Sequence, residues 1–220
     1  MSENDAGGPP NANNPFGGGP INPGGPDDPS GPQPVGQTGG YTQQFRHAPV
    51  GARVPEKLGR GVLSTGTVIL DSPTEFVIDF LQGLTRPFQV VARVVMAPPT
   101  MGNFSAAVAD NLAKYTKNFG PPPQLPKSDR RPTIAEVYET FRLGDEMLSG
   151  SYSNAVLIGH TAGEFFFDFI TGFYPHAAVS ARVLMSAPQV PRLLEATQAA
   201  IRSYQMKFQQ PPPEAGNSQR

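Results

Sequence analysis

Glu75-Phe76-Val77-Ile78-Asp79-Phe80 has the alternation of a half-buried strand, and 89 residues later Glu164-Phe165-Phe166-Phe167-Asp168-Phe169 repeats it. Phe76, Ile78 and Phe80 fall on one face and Glu75, Val77 and Asp79 on the other, because strand side chains alternate with period two. The same ungapped offset pairs Gly83 with Gly172, Val90 with Val179, and Ala92-Arg93-Val94 with Ala181-Arg182-Val183. It continues through Met96 and Met185, Pro99 and Pro188, Tyr115 and Tyr204, and Phe119 and Phe208. Both copies then run into prolines, at 121–123 and 211–213. A single offset sustained over this distance marks a tandem duplication.

Each copy therefore constrains the other. Thr67–Leu70 and Val156–Gly159 give a first strand, followed by turn formers at Asp71-Ser72-Pro73-Thr74 or His160-Thr161-Ala162-Gly163. The Phe-rich strand is second. A third runs over Val90–Met96 or Val179–Met185, with Val90, Ala92, Val94 and Met96 expected inward. After Pro99 or Pro188 the period becomes helical: Met101, Phe104, Val108, Leu112, Tyr115 and Phe119 form one stripe, and Val190, Leu193, Leu194, Thr197, Ile201, Tyr204 and Phe208 the other. Pro191 suits a first helical turn, where its missing N–H costs nothing. The expected fold class is α+β: two tandem β-β-β-α repeats, each a small antiparallel sheet crossed by one long helix, packed as a pseudo-dimer. A unit of roughly 70 residues is marginal alone, which favours association of the two.

The expected division is a disordered Gly/Pro-rich tail over 1–48, repeat one over 49–123, a linker with a short helix over 124–149, repeat two over 150–210, and a disordered end over 211–220. In the linker, Thr133-Ile134-Ala135-Glu136 has capping-box spacing ahead of Val137, Tyr138 and Phe141. Pro55-Glu56-Lys57-Leu58 is the shorter lead into repeat one. Residues 1–40 hold 11 of the 24 glycines and 9 of the 26 prolines, too few apolar side chains to offset the entropy of ordering. They include Pro29-Ser30-Gly31-Pro32, a PxxP spacing that this much proline produces by chance.

The succession of motifs resembles the domain-of-unknown-function family 3467, small bacterial and archaeal proteins usually one unit long. Copy two carries a Tyr152-Ser153-Asn154 entry, the Glu164 to Phe169 strand, Arg182, Pro188 and the Tyr204 to Phe208 helix end. Copy one matches at Glu75 to Phe80, Arg93, Pro99 and Tyr115 to Phe119, but has Leu63-Ser64-Thr65 at the entry. The resemblance implies the fold unit and brings no reaction with it.

Several chemistries are disfavoured by composition. The chain has no cysteine, which excludes disulfides, thiolate metal sites and a cysteine nucleophile. His47, His160 and His176 are isolated, so no metal and no cofactor is expected. Phosphate-loop, dinucleotide and serine-elbow strings are absent. The net charge is −1, with −4 in the first 40 residues and 17 basic against 14 acidic groups beyond them. That balance argues against a nucleic-acid surface, although the phenylalanines of 165–169 keep single-stranded nucleic acid as an alternative. No apolar run reaches the roughly 18 residues of a membrane helix, and no basic-then-apolar leader is seen, so the expectation is a cytoplasmic protein off the membrane.

The recurring polar feature is Asp79 with Arg93, repeated as Asp168 with Arg182, 14 residues apart each time. The expectation is a cross-strand ion pair on a partly solvated face; the alternative is a site where the arginine grips a small anion. Val77, Val91 and Val95 in copy one, and Phe166 and Leu184 in copy two, make that outward face mixed, a candidate interface. These features predict a non-enzymatic protein-interaction scaffold, acting through sheet edges or the mixed face, with an unidentified protein partner.

Overall fold

The computed structural model describes residues 51–126, 130, 132–173 and 176–209. The expected terminal tails, the Pro29–Pro32 spacing and His47 lie outside these residues, as does part of the linker. Among the described residues the order is β1 (Val62–Ser64), β2 (Gly66–Asp71), β3 (Phe76–Gln82), β4 (Gln89–Met96), α1 (Pro98–Phe119), α2 (Ile134–Thr140), β5 (Ser151–Tyr152), β6 (Ala155–His160), β7 (Glu164–Gly172), β8 (Ala177–Ser186) and α3 (Val190–Phe208). One 3-10 turn, Glu56–Leu58, leads into β1 and another, Asp145–Met147, into β5. The fold is α+β and duplicated, and the 89-residue offset maps one half onto the other.

The repeats are interleaved, which the sequence did not announce. One sheet has the order β2-β3-β4-β5 and the other β1-β8-β7-β6. The last strand of each comes from the lead-in to the other repeat: β1 runs parallel to β8, with Val62 opposite Val183, and β5 runs parallel to β4, with Val94 opposite Ser151. The sheets are therefore mixed, not purely antiparallel. A bridge of the same kind lies upstream, where Arg53 pairs beside β8 and Arg142 beside β4. A domain that uses such exchange joins its halves through main-chain hydrogen bonds as well as side-chain burial.

The long helices are exchanged too. α1 packs along β6 and α3 along β2, each against the other repeat's sheet. Phe104 of α1 meets Phe167 and Phe169, while Tyr204 of α3 meets Phe76 at 5.1 Å between ring centroids. The Tyr115 hydroxyl donates to the Ala162 carbonyl at 2.8 Å, and the Tyr204 hydroxyl to that of Pro73 at 3.0 Å. The helices meet each other at Ser105 and Thr197, whose hydroxyls are 3.1 Å apart. This corrects the expected packing of each helix across its own sheet. The apolar stripe fixes which face of a helix is buried, not which repeat buries it.

A single main core results. Phe76, Ile78 and Phe80, their counterparts Phe165, Phe167 and Phe169, and the inward residues of β4, β8, α1 and α3 are fully buried in it. Phe80 and Phe169 meet across the pseudo-twofold at 5.4 Å. Phe119 and Phe208, at the ends of the helical stripes, remain exposed. A register shift between Phe80 and Leu81, repeated between Phe169 and Ile170, alters the expected inward set. The shift turns Val90 and Val179 out of the main core into two small outer clusters, with Leu81 and Val137 or with Ile170 and Ala177. Val91, expected outward, packs instead against the main core.

Candidate functional site

The 14-residue spacing of each Asp–Arg pair is the register of a hairpin: Asp79 sits opposite Arg93, and Asp168 opposite Arg182. Both pairs are bidentate. Arg93 Nε and Nη2 each donate to the Asp79 carboxylate at 2.7 Å, and Arg182 does the same to Asp168 at 2.6 and 2.7 Å. The fork of the guanidinium matches the two carboxylate oxygens, and this geometry makes such pairs directional.

The third donor explains why the pair recurs. Arg93 Nη1 donates to the Leu148 carbonyl at 3.2 Å, and Arg182 Nη1 to the Gly59 carbonyl at 3.1 Å. Leu148 and Gly59 are equivalent under the offset and lie in the exchanged lead-ins. Each arginine thus ties a carboxylate on its own sheet to the backbone arriving from the other repeat. Two residues further on, Gly61 and Gly150 take left-handed φ values of +66° and +68°. A Cβ at Gly61 would lie 2.6 Å from Leu184 Cδ1, and one at Gly150 would lie 2.9 Å from both Arg93 Cγ and Val95 Cγ2. Glycine is required there for backbone conformation and for close approach alike. We call each assembly of aspartate, arginine, carbonyl and glycine a clasp.

The crossing lead-in also covers the face that was expected to be partly solvated. The Asp79 side chain is 0% exposed and that of Arg93 14%, against 6% and 24% for Asp168 and Arg182. The reason is chain crossing: the lead-ins lie over a face whose own pattern is mixed. Hydrogen bonding to the aspartate raises the pKa of each arginine, against an opposing effect of burial.

The first clasp has an additional member. Tyr138 of α2 donates its hydroxyl to the Asp79 carboxylate and accepts from Arg93 Nη2 at 3.5 Å. Burial, followed by the bond to Asp79, pushes its pKa up to about 12. α2 is held by the expected capping box: the Glu136 N–H donates to Thr133 Oγ1 at 3.3 Å, and the Thr133 N–H to the Glu136 carboxylate at 2.7 Å. That hydrogen bonding, from the Thr133 backbone first, lowers the Glu136 pKa. Tyr138 was visible in sequence only as part of an apolar stripe.

The candidate interface residues separate. Val95 and Leu184 lie beneath the lead-ins at Gly150 and Gly61, so they serve contact between the repeats of this chain. Val77 is half-buried, and Val91 is turned inward. Phe166 alone is exposed among the five, its ring over Gly159, where a Cβ would come within 2.3 Å of it. The other three phenylalanines of 165–169 are core, so the aromatic run that raised nucleic-acid stacking is mostly unavailable for it.

The entry in copy one does the work of Tyr152-Ser153-Asn154 with different residues. Ser64 Oγ donates to the Gly66 carbonyl as Ser153 does to that of Ala155, both at 2.8 Å. Thr65 accepts from the Gly83 N–H at 3.0 Å, where Asn154 accepts from that of Gly172 at 2.8 Å. Tyr152 differs from Leu63 in stacking on Phe173 at 5.7 Å, with both rings exposed. His160 lies among Tyr115, Phe119 and Phe165 with its Nδ1 unpartnered, while its counterpart Asp71 pairs with Lys207 at 2.9 Å. Among the described residues there is no cluster of three metal-ligating side chains, and no helix long and apolar enough to cross a membrane.

The fold and its clasps define a duplicated, strand-exchanged α+β domain. The family model "Protein of unknown function (DUF3467)" matches it twice, over residues 29–135 and 126–210. The chain belongs to that family. The two matched segments agree with the duplication seen in the fold. No curated protein matches the sequence.

Proposed function

We propose that the chain is a non-enzymatic scaffold that binds another protein beside the seam where the chain passes from β5 into β6. The observation that carries this is the stack of Tyr152 on Phe173, 43% and 56% exposed respectively. Tyr and Phe in this setting supply large rigid contact area at little conformational cost, the usual property of interface anchors. The seam is braced from beneath, because the Tyr152 carbonyl accepts from Ser180 Oγ at 2.9 Å. A braced backbone presents the Tyr152 ring at little ordering cost on binding. The clasps favour the same proposal, since their arginine forks are engaged within the chain and leave little valence for an added anion.

The test is a paired one. Proximity crosslinking from a photoreactive residue placed beside Phe173 should trap a discrete protein with the parent chain. It should lose that product with Tyr152→Ser/Phe173→Ser. Identical trapping by both, or a clean monomer with no product, would overturn the proposal.

A further inference from the structure

Duplication allows one half of the molecule to serve as a control for the other, and at one junction the halves differ in kind. Where α1 begins to lie on repeat two, Phe104 fills the gap, with its ring 6.2 Å from that of Phe167 and 5.4 Å from that of Phe169. The equivalent position where α3 begins to lie on repeat one is Leu193. There a cleft of about 210 Å³ opens between the start of β2 and the first turns of α3, floored by Met185, Leu193 and Ala196.

Its polar lining has diverged from the other half. Thr67, Gln189 and Arg192 border the cleft, and the offset places Val156, Thr100 and Asn103 at the matching positions. Among the described residues no carboxylate borders it, and neither the Thr67 hydroxyl nor the Gln189 amide has a hydrogen-bond partner. Arg192 gives one Nη2 bond to the Pro126 carbonyl and retains other N–H groups of its five. A guanidinium, an amide and a hydroxyl around an apolar floor suit an oxyanion with a small hydrocarbon body. The volume lies below the roughly 300–1,000 Å³ of pockets for drug-sized ligands, which restricts the occupant to a few heavy atoms.

We infer that this cleft, between β2 and α3, is a binding site for a small carboxylate- or phosphate-bearing molecule. It is separate from both clasps and from the Tyr152–Phe173 seam, and its polar lining belongs to one half of the duplicated fold.

The other half supplies the variants. Amide chemical shifts of the full chain are followed while inorganic phosphate, and separately succinate, is added at constant ionic strength. The expected result is saturable movement of Thr67, Gln189 and Ala196 with at least one of the two. Arg192→Asn should weaken that binding tenfold or more, and Leu193→Phe should abolish it by filling the cleft as Phe104 does. If Leu193→Phe does not fold, Thr67→Val, which copies Val156, is expected to weaken binding severalfold. Saturation by phosphate alone or succinate alone assigns the ligand to that chemistry. Failure of both to saturate, or unchanged binding in Arg192→Asn, overturns the inference.

Discussion

Among the described residues, the two clasps share a backbone plan and differ in a neighbour. Both have a hairpin aspartate, a forked arginine, a carbonyl from the exchanged lead-in and a left-handed glycine at the same offset. Tyr138 closes the first, which leaves Asp79 wholly buried, while Asp168 and Arg182 keep some contact with solvent. An ion pair in water contributes little because solvent already stabilises its charges; a buried one must be complete, since removing one partner strands the other. The same four parts should therefore be far less forgiving in the first clasp than in the second.

The largest effect should come from breaking the buried pair. Asp79→Ala strands Arg93 and is expected to cost about 3–5 kcal/mol. Asp168→Ala, with Arg182 able to reach water, is expected to cost about 1–3 kcal/mol. Urea unfolding midpoints compare the two, and equal losses would remove the asymmetry.

Next comes the glycine. Gly61→Ala imposes a left-handed conformation and a collision with Leu184 and Arg182, expected to cost about 2–4 kcal/mol. Gly120→Ala isolates backbone strain, because Gly120 has φ +82° and ψ 174°, a region essentially restricted to glycine, with nothing within 4 Å of the new Cβ. It should cost about 1–3 kcal/mol from backbone strain alone, with no collision added.

Tyr138→Phe removes the extra hydroxyl of the first clasp. The lost hydrogen bond to a charged group should cost about 1–3 kcal/mol and narrow the gap between the two aspartate variants. The tyrosine also has a pH signature. Its folded pKa is raised to about 12 from an ordinary value near 10, so its contribution is complete below pH 10 and is lost as pH rises through 12. Absorbance at 295 nm should show a late-ionising tyrosine that is absent from Tyr138→Phe. The smallest effect is at Glu136. Its lowered pKa means that its help to the α2 cap is present above the ordinary carboxylate range and is lost as pH falls through its folded value. Hydrogen exchange of the α2 amides should quicken in acid, and Glu136→Gln should remove that dependence.

Much of this was legible in sequence. The offset gave the duplication, period-two patterning gave the inward phenylalanines, and the spacing from Asp79 to Arg93 gave their pairing. The exchange was not legible. A duplicated sequence has the same apolar stripes whether each helix covers its own sheet or the other. β1 and β5, at three and two residues, are too short to carry a period. The carbonyls of Gly59 and Leu148 have no side-chain signature. One signal was available, because Gly61 and Gly150 also sit 89 residues apart, just ahead of the entry motif. A conformation that needs glycine twice at the same place marks a backbone crossing.

The central claim is that the repeats exchange their helices, and ring-to-ring nuclear Overhauser contacts in selectively labelled protein test it directly. The exchanged fold predicts contacts from Tyr115 to Phe165 and from Tyr204 to Phe76, whose centroids lie 5.3 and 5.1 Å apart. Contacts from Tyr115 to Phe76 and from Tyr204 to Phe165 would show each helix on its own sheet and contradict the account.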